Sequence, residues 1–140
     1  MYNPAVYRKF TTNEIKPCGW LKRQLEIQAE GLSGNLYKIW PDIRDSSYIG
    51  GTIDSWERVP YWLDGFIPLA YLLEDEEKIA VAKKYIDGII ASQREDGWLC
   101  ICRDEERNTF DIWPAILILK VLTVYYECSK DERIEEIVYK

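Results

Sequence analysis

The chain has 140 residues, enough for one domain with a sizeable core and cramped for two. Its 18 basic and 24 acidic residues leave a formal charge of −6, which argues against a nucleic-acid partner or an anionic lipid surface. Histidine is absent, which removes the usual general base, histidine-based triads and every histidine metal motif, and leaves Asp, Glu, Tyr, Cys and Lys for proton transfer or nucleophilic attack.

The opening residues, MYNPAVYRKF, carry neither an apolar h-region nor a small-residue cleavage site, and no run approaches the roughly 18 apolar residues of a membrane span. The expectation is a cytoplasmic protein without a membrane partner, whose Cys18, Cys100, Cys102 and Cys128 are reduced thiols. Residues 1–16 mix Tyr2, Tyr7 and Phe10 with polar residues at no regular period, so they read as an N-terminal arm whose aromatics clip onto a domain spanning 17–140. After Pro17, the segment CGWLKRQLEIQAE predicts an amphipathic helix over 18–30 with Leu21, Leu25 and Gln28 on one face, stopped by Gly31. A short helix or turn over 33–39 follows, with Leu36, Ile39 and Trp40 expected to point inward, and Pro41 ends it. The polar stretch 41–53 reads as a loop long enough to be functional, in which Asp42, Arg44 and Asp45 either bind a hydroxyl-rich ligand or pair locally.

The stretch GGTIDSWERVPYWLDGFIPLAYLL, residues 50–73, is the densest in chemistry. Its glycine pair permits a tight turn, and Pro60 suits the first turn of a helix beginning near Val59, which leaves Asp54 and Glu57 leading into that helix and Asp64 about a turn inside it. Carboxylates, tryptophans and a tyrosine converging on a helix mouth suit a sugar: the acids bind hydroxyls or move protons, and aromatic faces stack on the ring's C–H surface. Asp54, Trp56, Glu57, Tyr61, Trp62 and Asp64 are therefore substrate-binding candidates, set against the competing reading of helix capping and core packing. Pro68 is expected to kink this helix.

Acids at 74–77 precede a helix with Ile79, Ala82, Ile86, Ile89 and Ile90 at three- and four-residue spacing, ending around Ser92. A turn through Gly97 returns Trp98 to the core, 99–109 reads as a short extended piece and a charged loop, and a second apolar helix runs from Ile112 or Pro114 to about Glu127. Residues 131–139 supply a last short helix. In the FDIWP segment, Asp111 and Trp113 are either a second contact at the mouth or a capping acid and a core indole. The fold class read from this is all-α. Shifting the sequence by 54 residues sets Pro60 on Pro114, Glu57 on Asp111, Trp56 on Phe110 and Tyr71 on Tyr125, the pattern of repeated helical hairpins in a partial α/α toroid.

The segments IKPCGWLKRQL, LSGNLYKIWPDI, SWERVPYWLDGFIPLAYLL and SQREDGW resemble the N-terminal part of the catalytic domain of the beta-L-arabinofuranosidase-like glycoside hydrolases, a family formerly of unknown function. The likeness spans nearly the whole chain. It implies helical hairpins belonging to an (α/α)6 barrel, arabinofuranose release by a retaining mechanism in the complete enzyme, and a sugar-side position for Trp56, Glu57, Tyr61, Trp62 and Asp64. The family's cysteine nucleophile, its zinc site of cysteines and a glutamate, and its acid/base belong to later parts of the barrel. The resemblance thus implies no cofactor in this chain, and zinc only in the complete domain. Cys18 stands where a basic residue is expected, and Cys100 and Cys102 where relatives have a Gly-Pro turn.

Cys100 and Cys102 are weak zinc candidates, because a closed tetrahedral site needs two more ligands and ordinary thiols account for the pair as well. Three functions fit. The chain is a fragment or truncated form of a glycoside hydrolase catalytic domain, holding part of a sugar cleft without turnover. Alternatively it is a small intact glycosidase with catalytic carboxylates among Glu57, Asp64 and Asp111, spaced about 5–5.5 Å apart for retention or about 6.5–9.5 Å for inversion. In the third reading it is a helical module whose open edges bind a copy of itself or the remainder of a barrel.

Overall fold

The computed structural model describes residues 7–140, and Tyr2, among the expected clipping aromatics, lies outside them. The described residues are helical, with one isolated parallel bridge between Ser46 and Ile53. Helix α1 spans Gly19–Glu30 and α2 Leu32–Ile39, with Gly31 the single residue between them. The stretch read as a plain loop instead contains the short α3, Pro41–Arg44, and a 3-10 turn, Ser47–Ile49. Pro41 starts α3 as well as ending α2, because its missing N–H costs nothing in a first turn. Gly50, at φ 85, closes the 3-10 turn in the left-handed region that a side chain disfavours.

Helix α4 spans Arg58–Leu72 and α5 Glu76–Ala91, a hairpin in which the Asp75 carboxylate caps α5 by accepting from the Lys78 backbone N–H at 3.0 Å. Helix α6, Trp113–Ser129, and α7, Arg133–Tyr139, form the second hairpin. Residues 99–109 hold a 3-10 turn at Asp104–Glu106 and no strand. The core lies between these hairpins. Leu63, Ile67, Ile86, Ile89, Ile118 and Leu122 are wholly buried, Ile86 and Ile89 as the helical spacing predicted. An aromatic cluster closes the α2 side: Trp62 stacks on Phe66 at 4.4 Å between centroids and meets Tyr85 edge-on at 5.0 Å. The Tyr85 hydroxyl donates to the Ile43 carbonyl at 2.8 Å, tying α3 to α5. The 41–53 segment also lies against α5 at Gly88, where a Cβ would fall 1.8 Å from the Tyr48 carbonyl oxygen.

Contacts between α4 and α6 advance together along both helices. Glu57 meets Trp113, Asp64 meets Lys120, and the Tyr71 and Tyr125 rings lie 6.3 Å apart, so the two helices run parallel, side by side. The repeat in the sequence thus corresponds to two like helices in lateral contact.

Three expectations are corrected. Of the expected α1 face, Leu21 is about half exposed and Gln28 is exposed, because only the edge near Leu25 and Ala29 meets α4. Ile39 and Trp40 are exposed, leaving Leu36 and Tyr37 as the α2 residues packed on the core. The arm is pinned by polar contacts, since Lys9 pairs with Glu127 at 2.7 Å and Asn13 donates to the Glu127 carbonyl at 3.0 Å, while Tyr7 and Phe10 stand in solvent.

Candidate functional site

Because α4 and α6 run parallel, their N-termini open at the same end, and the candidate residues collect there. Glu57 is the N-cap residue of α4, yet its side chain makes no capping bond. Its Oε2 instead accepts from the indole Nε1 of Trp113 at 3.0 Å. Trp113 is 42% exposed, which leaves part of the indole open to solvent beside that carboxylate. Tyr61, one turn along α4 and half exposed, extends the same face. The indole beside Glu57 therefore comes from α6, whereas Trp62 from the same motif is turned into the core, with its Nε1 donating to the Ser33 carbonyl at 3.1 Å.

The other acids are engaged. Asp54 Oδ1 accepts from the Trp56 backbone N–H at 2.9 Å and holds that residue at φ 41, left-handed for a bulky side chain. Asp111 likewise accepts from the Trp113 N–H at 2.9 Å, forming a turn just ahead of α6, whose N-cap position is Ile112. Asp64 forms an ion pair with Lys120 across the two helices. Glu57 is thus bound by a neutral donor, and neither Asp64 nor Asp111 is presented to it as an unengaged partner. In the 41–53 segment the charges pair locally: Arg44 with Asp45 at 2.5 Å, and Asp42 with Arg58 at 2.8 Å.

Cys100 is buried, and that burial, with Cys102 and Asp54 nearby, pushes its thiol up to about 11, so at neutral pH it is protonated and a poor nucleophile. Among the described residues no three Cys, Asp or Glu side chains gather as a metal ligand set, and Cys100 with Cys102 does not fit a site needing further cysteines and a glutamate. Among the described residues no helix is long and apolar enough to cross a membrane.

Lys120, which meets α4 from α6, and Gln28 and Ser33, which line a groove on its α1–α2 side, were not among the candidates. The Glu57–Trp113 and Asp64–Lys120 pairs are both 56 residues apart, two more than the 54-residue offset of the repeat, so the repeat by itself did not point to Lys120. No protein-family model, curated protein or solved structure matches the chain.

Proposed function

We propose that the shared mouth of α4 and α6 is a carbohydrate-facing wall of a glycoside-hydrolase catalytic domain built as an α/α toroid, and that the 140-residue chain alone does not turn glycosides over. The observation that carries the reading is the Glu57 carboxylate held at 3.0 Å by a half-open indole, at the common end of two parallel helices. Such a carboxylate accepts from sugar hydroxyls while the aromatic faces of Trp113 and Tyr61 cover C–H surface. The SWERVPYWLDG motif supports the same assignment. Absence of turnover follows from chemistry: a carboxylate pair needs a second free carboxylate beside the first, Asp64 and Asp111 are engaged with Lys120 and with the Trp113 N–H, and the resemblance puts the family's cysteine nucleophile in later parts of the barrel.

The test has two arms. Methyl glycosides of arabinose, xylose and glucose should shift the indole N–H resonance of Trp113, and Glu57→Gln should weaken the effect; an unmoved resonance refutes the wall. Aryl glycosides, the arabinofuranoside included, should be cleaved no faster by the native chain than by Glu57→Gln, and a clear difference refutes the second half.

A second reading is favoured by the apolar row Ile112, Ile116 and Leu119 along α6, each at least 40% exposed. The described arm sits at the other end of α6, near Glu127, and leaves this row uncovered. A second copy of the chain would cover it. Sedimentation equilibrium showing a constant mass near 16.5 kDa across micromolar concentrations rejects that reading.

A further inference from the structure

A groove of about 230 Å³ lies on the open side of α4, between it and the α1–α2 hairpin, starting one turn along α4 from Glu57. Leu36, Trp62 and Phe66 form its floor. The exposed Tyr61, Gln28 and Ser33 stand around its rim. Trp62 is fixed in the floor twice over, by the stack on Phe66 at 4.4 Å and by its 3.1 Å hydrogen bond to the Ser33 carbonyl.

The lining contains aromatic surface and neutral hydrogen-bonding groups and no charged residue. An anion would find no cation to pair with. A cation would find no carboxylate within the groove. A wholly apolar ligand would strand the rim groups without water or partner. The ligand class that satisfies both halves of the lining is a neutral polyol with one apolar face. The volume falls below that of pockets for drug-sized molecules, which begin near roughly 300 Å³, and suits one ring.

We infer that this groove is a binding subsite for a single neutral monosaccharide unit, its C–H face toward Tyr61 and Trp62 and its hydroxyls toward Gln28, Ser33 and the Tyr61 hydroxyl. The inference rests on the carbohydrate reading of the neighbouring mouth and adds to it a separate pocket with its own residues. A sugar chain crossing both would place one unit in the groove and the next beside Glu57.

Gly65 provides the test. It lies on α4 at the groove, and a Cβ built there meets nothing within 4 Å, so Gly65→Leu fills the cavity while leaving the core untouched. The same change removes a glycine from a helix interior, which favours folding. The experiment titrates the nitrogen-15-labelled full chain with methyl arabinofuranoside, methyl xyloside and methyl glucoside, and reads two indole N–H resonances assigned through Trp62→Phe and Trp113→Phe. Sodium phosphate and tetramethylammonium chloride serve as charged controls. The expected result is a saturable shift of the Trp62 resonance with at least one glycoside and neither control, with affinity reduced at least about tenfold in both Gly65→Leu and Tyr61→Ala. A shift of Trp113 alone, or full affinity retained in Gly65→Leu, overturns the groove and leaves the mouth standing. A Trp62 response without Trp113 overturns the mouth and leaves a sugar groove. A response to phosphate or tetramethylammonium at Trp62 overturns the neutral-ligand assignment, and silence at both indoles overturns both readings.

Discussion

Two glycines inside helices give opposite expectations for the same substitution. At Gly65 on α4 an added methyl group enters open space, and replacing a helix-interior glycine by alanine is worth about 0.5–1 kcal/mol, so Gly65→Ala should be more stable than the native chain by that amount. Gly88→Ala on α5 has the same propensity gain. Its Cβ, however, would sit 1.8 Å from the Tyr48 carbonyl oxygen, where under 3.0 Å is essentially never seen, so the 41–53 segment must retreat from α5. That oxygen belongs to backbone flanked by the buried Ile43 and Tyr48 side chains, and a displacement of this kind costs about 1–3 kcal/mol, as overpacking does. Setting that cost against the shared gain leaves Gly88→Ala between near neutral and about 2 kcal/mol less stable than the native chain. The two variants should therefore differ by about 1–3 kcal/mol, or several degrees in Tm for a domain of this size. Urea unfolding followed by tryptophan fluorescence measures the difference. If Gly88→Ala proves as stable as Gly65→Ala, the close approach of the 41–53 segment to α5 is wrong, and with it the placement of the segment that leads into the Glu57 mouth.

Trp62→Ala should lose about 3–5 kcal/mol, whereas Trp113→Ala, on an exposed indole, should lose under about 1 kcal/mol; denaturant titration separates the buried indole from the exposed one. Arg8, with the Thr11 backbone N–H, holds the Glu14 carboxyl down at about 2. Because the folded value is depressed below the usual 4.3 or so, this contribution to the arm's own Arg8–Thr11–Glu14 turn is complete above that value and disappears as pH falls toward about 2, and Glu14→Gln should flatten the pH dependence of proteolysis at the arm across that window. Exposed Cys18 should react with a disulfide reagent at pH 8 in the native chain, while the buried Cys100 and Cys128 should react only after unfolding; rapid labelling of Cys100 would contradict its burial.

The sequence by itself determined the helices and most of their limits. Apolar spacing and breakers are local signals: Gly31, Pro41, Pro60 and Asp75 act on the backbone of their own neighbours, and the helices begin or end beside each of them. The residues that would matter for a sugar were also legible as a set, since acids and aromatics clustered at two helix starts 54 residues apart. Only the tertiary structure decided which of them face one another. Amphipathic spacing says that a face can be buried and says nothing about whether a partner arrives, which is why Leu21 on α1 stays open while Leu63 and Ile67 on α4 disappear. Likewise a carboxylate's role depends on what lies across from it. The parallel packing of α4 on α6 gives Asp64 to Lys120 and Glu57 to the Trp113 indole, and the α2 and α5 side of α4 takes Trp62 into the core, because side-chain partners distant in the chain are fixed by packing and leave little trace in local composition.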